Sequence, residues 1–257
     1  MSKIRVVGFM VVLAGILVSA APAAASQYVA LGDSYSSGVG SRTFYSESGE
    51  CKRSPYAYGP LVAAAKGYTL SFQACAGAKT NEVVEKQLGT LSSTTALVTI
   101  SIGGNDAGFG DVMEECAVYY FWCGEAIEEA DTYIKNSLPK ALETTYKAIR
   151  AKATTAQVIV LAYPKLFTKE GATCGFNTLT SGNEKKINES AEKLDAAIKA
   201  KAESLKFTFV NPTSAFESHE VCSSSEWLNG ESNPLGESYH PNTKGQEEFA
   251  KLVEAAI

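Results

Sequence analysis

Three turn-forming stretches and one histidine carry residue types that suit acyl-transfer chemistry. Gly32-Asp33-Ser34-Tyr35 ends the apolar run Tyr28–Leu31 and places a serine hydroxyl where that run stops. The stretch to Gly38 is rich in small residues, so the hydroxyl is expected in a turn. A serine becomes a nucleophile when a base stands beside it, and histidine is the usual base near neutral pH. The chain holds 2 histidines. His219, in Ser-His-Glu-Val-Cys, reads as a surface or hydrogen-bonded histidine. His240 precedes Pro241, which restricts it to extended geometry and puts the imidazole on a defined loop. Cys75-Ala76-Gly77-Ala78 and Gly103-Gly104-Asn105-Asp106 supply an exposed backbone N–H and a side-chain amide. A nucleophile, a base and donors for a developing oxyanion are the parts acyl transfer needs. Taken singly, Gly-Asp-Ser and His-Pro are ordinary turn chemistry; their combination carries the reading.

These turns need elements to position them. Apolar runs over Tyr28–Leu31, Thr69–Phe72, Ala96–Ile102, Gln157–Ala162 and Phe207–Val210 read as strands. Helical periodicity falls between them, over Pro55–Lys66, Asn81–Leu88, Ile127–Lys152 and Gly182–Leu205, with a last helix from Thr243 to Ala256. Strands alternating with helices predict an α/β fold: a three-layer flavodoxin-like sandwich with helices on both faces of a five-stranded parallel sheet, order 2-1-3-4-5. The switch point of that order lies between strands 1 and 3, where ligands bind at the carboxyl ends of the strands. Ser34, Gly77 and Asn105 would meet there.

The ends and the composition set the frame. Lys3 and Arg5, the apolar run Val6–Leu17 and Ala23-Ala24-Ala25 form the layout of a secretory signal peptide over residues 1–25. The apolar run is shorter than the roughly 20 residues a spanning helix needs. Cleavage after Ala25 removes 25 of 257 residues and leaves 232, the size of a single α/β domain over 26–257. Loss of Lys3 and Arg5 takes the net charge from −5 to −7, which gives no reason to expect nucleic acid or an anionic membrane as a partner. The 6 cysteines of an exported chain predict disulfides. Their order suggests Cys51–Cys75, Cys116–Cys123 and Cys174–Cys222. No Cys-x-x-Cys pair supports a zinc site at His219 and Cys222, so no metal and no cofactor is expected.

Taken together, the four stretches resemble the SGNH-hydrolase superfamily, the GDSL esterases and lipases. Gly32-Asp33-Ser34-Tyr35 is similar to its first block, Gly77 to its second, Gly103-Gly104-Asn105-Asp106 to its third and His240-Pro241-Asn242 to its last. The leader, the six cysteines and Ser34-Tyr35-Ser36-Ser37-Gly38 are most similar to the secreted actinobacterial lipase and phospholipase branch, in which the disulfides pair sequentially. The resemblance implies Ser34 as nucleophile and His240 as general base. It implies an oxyanion hole made by the N–H groups of Ser34 and Gly77 and the Asn105 amide. Most members carry aspartate three residues before the histidine, where this chain has Glu237. Some members hold the imidazole with a backbone carbonyl two residues before it, here that of Ser238; the expectation leans to this carbonyl. Asp33 and Asp106 are expected to orient loops.

The substrate is less legible than the reaction. Tyr119, Tyr120, Phe121 and Trp122, between Cys116 and Cys123, are candidates for an apolar wall beside an acyl chain, with Phe44 and Tyr45 on the same side. The expected substrate is a small-molecule or lipid ester: acylglycerols, and acyl esters of phospholipids. An acetylated polysaccharide, or transfer of the acyl group to an alcohol, would use the same site. An inert binding module leaves the four site residues without a reason. A secreted monomer with at most transient contact with a lipid interface is expected.

Overall fold

The computed structural model describes residues 25–118, 123–168 and 179–257; the expected leader falls almost wholly outside them. Five strands form one parallel sheet: β1 (Gln27–Gly32), β2 (Thr69–Phe72), β3 (Thr95–Ser101), β4 (Gln157–Leu161) and β5 (Thr208–Val210), in the order β2-β1-β3-β4-β5. β1 pairs with β2 from Gln27↔Thr69 to Ala30↔Phe72 and with β3 as far as Gly32↔Ser101. Val29, Leu31, Val98, Ile100, Ile159 and Leu161 are fully buried, which is why these strands are continuous apolar runs: helices cover both faces of the sheet.

The helices, in chain order, are α1 (Ser34–Ser37), α2 (Tyr58–Lys66), α3 (Thr80–Glu82), α4 (Phe109–Val118), α5 (Cys123–Asn136), α6 (Leu138–Lys152), α7 (Ser181–Ser204) and α8 (Thr243–Ala256). α2 packs on α8, with the Tyr58 and Phe249 rings 5.9 Å apart, while α5, α6 and α7 pack on one another. Gly67, in left-handed geometry, closes α2, and the Asn242 side chain caps α8 through the N–H groups of Lys244 and Gly245.

Three elements depart from expectation. The helix anticipated over Ile127–Lys152 is two, because Pro139 offers no N–H and its ring would clash with a carbonyl one turn earlier; Pro139 therefore stands in the first turn of α6. α4 replaces what reads as a disulfide loop, and the Cys116–Cys123 bridge joins its last turn to the start of α5. The helix expected over Asn81–Leu88 is instead α3, a π-helical turn over Val83–Gln87 and a 3₁₀ turn over Leu88–Thr90. Across that segment the buried Gln87 amide pairs twice with Gly32, accepting from its N–H at 2.8 Å and donating to its carbonyl at 2.9 Å. The Cys51–Cys75 disulfide is present. Cys222 is disulfide-bonded as well, and Cys174, the partner that sequence order suggests, lies outside the described residues.

Candidate active site

The first strand delivers Ser34. Gly32 adopts φ +123°, and a Cβ there would lie 2.4 Å from the Ser101 carbonyl oxygen and from Ser36 Oγ, so only glycine lets the chain turn this tightly beside β3. Asp33 then caps α1, its carboxylate accepting from the Tyr35 N–H at 3.0 Å. Ser34 is the first residue of that helix, with no intrahelical partner for its N–H.

The loop before α8 delivers the imidazole, 206 residues further along the chain. Tyr239 is left-handed at φ +59°, held by its N–H on the Asn229 carbonyl at 2.9 Å, and the His240 carbonyl accepts from the Asn229 N–H. His240 Nε2 stands 2.7 Å from Ser34 Oγ, and Nδ1 stands 2.7 Å from the Ser238 carbonyl oxygen. A carbonyl can only accept, so Nδ1 carries the proton and Nε2 offers its lone pair to the serine hydroxyl. The Glu237 carboxylate turns elsewhere. It pairs with the Arg42 guanidinium at 3.2 Å, and among the described residues no bond joins it to the imidazole.

Burial pushes the His240 pKa down to about 4. The Ser238 carbonyl opposes that shift by accepting from the ring, and the Lys52 ammonium adds to it. The resting imidazole is therefore neutral throughout the neutral range.

Opposite the serine lie the other two turns. Gly77, at φ +76°, directs a backbone N–H that takes no partner among the described residues. Asn105 Nδ2 donates to the Ala78 carbonyl at 3.0 Å, which fixes the amide plane and leaves its second N–H free to face the cleft. The Asp106 carboxylate accepts from both the N–H and the hydroxyl of Thr80, stitching the Asn105 turn to α3. Tyr163, just after β4, joins two of the turns: its hydroxyl accepts from the Gly104 N–H at 3.1 Å and donates to Asp33. Burial raises the Asp33 pKa to about 7, against the hydrogen bonds from Tyr163 and the Tyr35 N–H.

Ser34, Gly77, Asn105 and His240 line one cleft of about 230 Å³. Its apolar wall comes from Val39, Phe109, Tyr163, Leu166 and Leu194. A second cavity, of about 490 Å³, adjoins it at Phe109, Gly110, Gly236 and His240, and is bounded by Met113 and Leu235. Phe44 is half-buried and Tyr45 is 38% exposed, and neither lines either space. Tyr119, Tyr120, Phe121 and Trp122 lie outside the described residues. The wall residues give no local signal in sequence: Leu166 and Leu194 read as core, and only Phe109, four residues past Asn105, is close enough to a motif to be suspected. His219 stacks on the Trp227 ring at 3.6 Å, with Nδ1 2.6 Å from the Ser225 carbonyl oxygen, away from the cleft.

A flavodoxin-like sandwich with serine and histidine paired at its switch point defines a class of serine-dependent ester hydrolases. The chain belongs to the GDSL-like lipase/acylhydrolase family, which its residues 30–248 match. It is 44% identical to Lipase 1 of Streptomyces coelicolor over 96% of both chains. Among solved structures it superposes on the extracellular lipase of Streptomyces rimosus with a TM-score of 0.87 at 40% identity, over 91% of this chain and 100% of that one. Phospholipase A1 of Streptomyces albidoflavus NA297 gives 0.87 at 41%, over the same shares.

Proposed function

We propose that this protein is a secreted serine hydrolase that cleaves carboxylic esters of lipids, acylglycerols and the acyl esters of phospholipids, through an acyl-enzyme. The observation that carries the reading is the 2.7 Å approach of Ser34 Oγ to a His240 Nε2 whose tautomer is set by the Ser238 carbonyl. Nε2 takes the hydroxyl proton as Oγ attacks the ester carbon. The imidazolium that forms is stabilised by the Ser238 carbonyl and by the nearby oxyanion, which restores basicity that burial removes from the resting ring. The N–H groups of Ser34 and Gly77 and the Asn105 amide take the oxyanion; a single donor of this kind is worth about 10²–10³-fold in kcat. His240 then protonates the leaving alcohol, and a water deprotonated at Nε2 releases the acid. The chain's own groups supply the whole cycle.

The apolar wall favours an acyl chain over a sugar ring, and the relatives named lipase and phospholipase A1 support the same class. Contact of the monomer with a lipid interface is at most transient: Leu235, 66% exposed at the rim of the adjoining cavity, is a single apolar side chain. Residues 1–25 are the leader, and 26–257 form the catalytic domain.

The test pairs a series of nitrophenyl esters, acetate to palmitate, and an acetylated polysaccharide with labelling by an active-site phosphonate. Wild type is expected to prefer the fatty acyl esters and to be labelled at Ser34. Ser34→Ala is expected to fold and to lose up to about 10⁶-fold in kcat. Label mapped to another residue would refute the assignment.

A further inference from the structure

We propose that the Lys52 ammonium recognises an anionic substituent on the alcohol side of the ester, the phosphodiester of a glycerophospholipid. The proposal rests on the lipid-ester reading above and adds to it a residue that sorts one lipid class from another.

Lys52 belongs to the cleft by construction. Its neighbour Cys51 is bonded to Cys75, and the Cys51 carbonyl accepts from the Ala76 N–H at 3.1 Å. The strand of chain carrying Lys52 is therefore stapled, covalently and by a hydrogen bond, to the turn that presents the Gly77 N–H. Lys52 itself is left-handed at φ +47°, a conformation that a side-chain-bearing residue rarely adopts, and it lines the cleft with Ala76, Gly77 and His240.

Among the described residues its charge has no ion-pair partner. The ion pairs among the described residues leave Lys52 out, whereas Arg42 beside the same loop is paired with Glu237. An ammonium held next to the imidazole also works against the base, since it lowers the His240 pKa. Carboxylates stand on the other side: Asp111, Glu114 and Glu231 bound the adjoining cavity. In a chain of net charge −5, the cleft thus has a cationic edge at the oxyanion turn and an acidic edge beyond His240. A triacylglycerol has no group that would use Lys52. The phosphodiester of a glycerophospholipid lies a few bonds from the scissile ester and does, through charge-assisted hydrogen bonds.

The experiment uses short-chain esters below their critical micelle concentration, so that attraction of a charged surface plays no part. kcat/KM is measured for dibutyryl phosphatidylcholine, dibutyryl phosphatidylglycerol and uncharged dibutyrylglycerol, with wild type, Lys52→Arg, Lys52→Met and Lys52→Glu. Phosphonate labelling of Ser34 establishes that each variant is folded. Lys52→Met is expected to lower the ratio of either phospholipid to dibutyrylglycerol by about 10–100-fold, the worth of a hydrogen bond to a charged group. Lys52→Glu is expected to lower the ratio further, and Lys52→Arg to restore it. If Lys52→Met lowers activity on all three esters in parallel, the charge acts on the oxyanion or the loop and the proposal fails. It fails too if wild type cleaves dibutyrylglycerol but neither phospholipid, with the ester-hydrolase reading intact. If wild type cleaves none of the three, that broader reading falls with it.

Discussion

The Tyr35 hydroxyl donates to the Tyr239 carbonyl at 2.7 Å. Each partner is the chain neighbour of a proposed catalytic residue, so one buried hydrogen bond ties the Ser34 turn to the His240 loop. The Tyr35 ring lies 5.2 Å from the imidazole and edge-on to Tyr163 at 4.9 Å, and the Tyr35 carbonyl accepts from the buried Gln246 amide of α8. The distance between Ser34 and His240 is set from behind, by groups outside the pair.

Tyr35→Phe leaves the Tyr239 carbonyl unpaired in the interior, at a cost of about 1–3 kcal/mol. We expect a lower Tm and a fall in kcat that exceeds the rise in KM, since the ester-binding wall is untouched. Thermal melts give the first quantity and steady-state kinetics on nitrophenyl butyrate the second. A wild-type kcat in the variant would show that the two loops hold their spacing without this bond.

Glu237→Gln is expected to cost less than about tenfold in kcat, in contrast to the roughly 10⁴-fold lost when a carboxylate orients the histidine of a serine protease. The reason is geometric: Nδ1 faces the Ser238 carbonyl, and the carboxylate faces Arg42. The rim ion pair is half open to water on the arginine side, so its loss is expected to move stability by about 1 kcal/mol or less. Parallel kinetics of Glu237→Gln and wild type decide the matter; a drop above about 10³-fold would restore the carboxylate to the triad.

The pH dependence of kcat/KM follows from the half-buried, desolvated imidazole. In the proposed role of general base His240 must be neutral, and with its pKa held down to about 4 the acid limb of the profile is expected near pH 4, well below the ordinary histidine value of about 6.5. Activity should thus be nearly flat from pH 6 to 7.5 on a substrate whose own ionisation is constant. Circular dichroism at each pH separates loss of the base from loss of the fold. A half-maximal point near pH 6.5 would mean that the imidazole is solvated as an exposed histidine is.

Asp195 on α7 accepts from the Tyr163 N–H at 3.0 Å, and burial raises its pKa to about 8, with the Glu192 charge adding to the shift. The native state therefore keeps this proton at pH values where the unfolded chain has released it, and stability drains away as pH rises from about 4 to about 8. Asp195→Asn removes that proton equilibrium. Relative to wild type, the variant is expected to gain Tm steadily across the same interval, which thermal melts at pH 4.5, 6 and 7.5 would register. A constant difference between the two would show an ordinary carboxylate at this position.

What the amino-acid sequence determined by itself was local in origin. Apolar runs ending in glycine-rich turns placed β1 and β3, and through them Ser34 and Asn105, because strand burial and turn geometry depend on a few adjacent residues. The parallel order followed from the alternation of strands and helices, since short right-handed crossovers leave few alternatives. Pro139 was a local signal that periodicity overrode: the apolar pattern ran as one helix over Ile127–Lys152, and the missing N–H divides it into α5 and α6. The tertiary structure decided what depends on distant residues. Glu237 stands three places before His240 in sequence and suits a triad there, yet it turns to Arg42, which lies far up the chain. The cleft wall joins Val39, Phe109, Leu166 and Leu194, four apolar side chains from four separate segments, while Phe44 and Tyr45 fall outside it. No periodicity distinguishes an apolar residue that faces a cleft from one that faces the core, because both obey the same burial pattern. Lys52 is the sharpest case: its neighbourhood to Gly77 and His240 exists only once the Cys51–Cys75 bridge has folded its loop against the Gly77 turn.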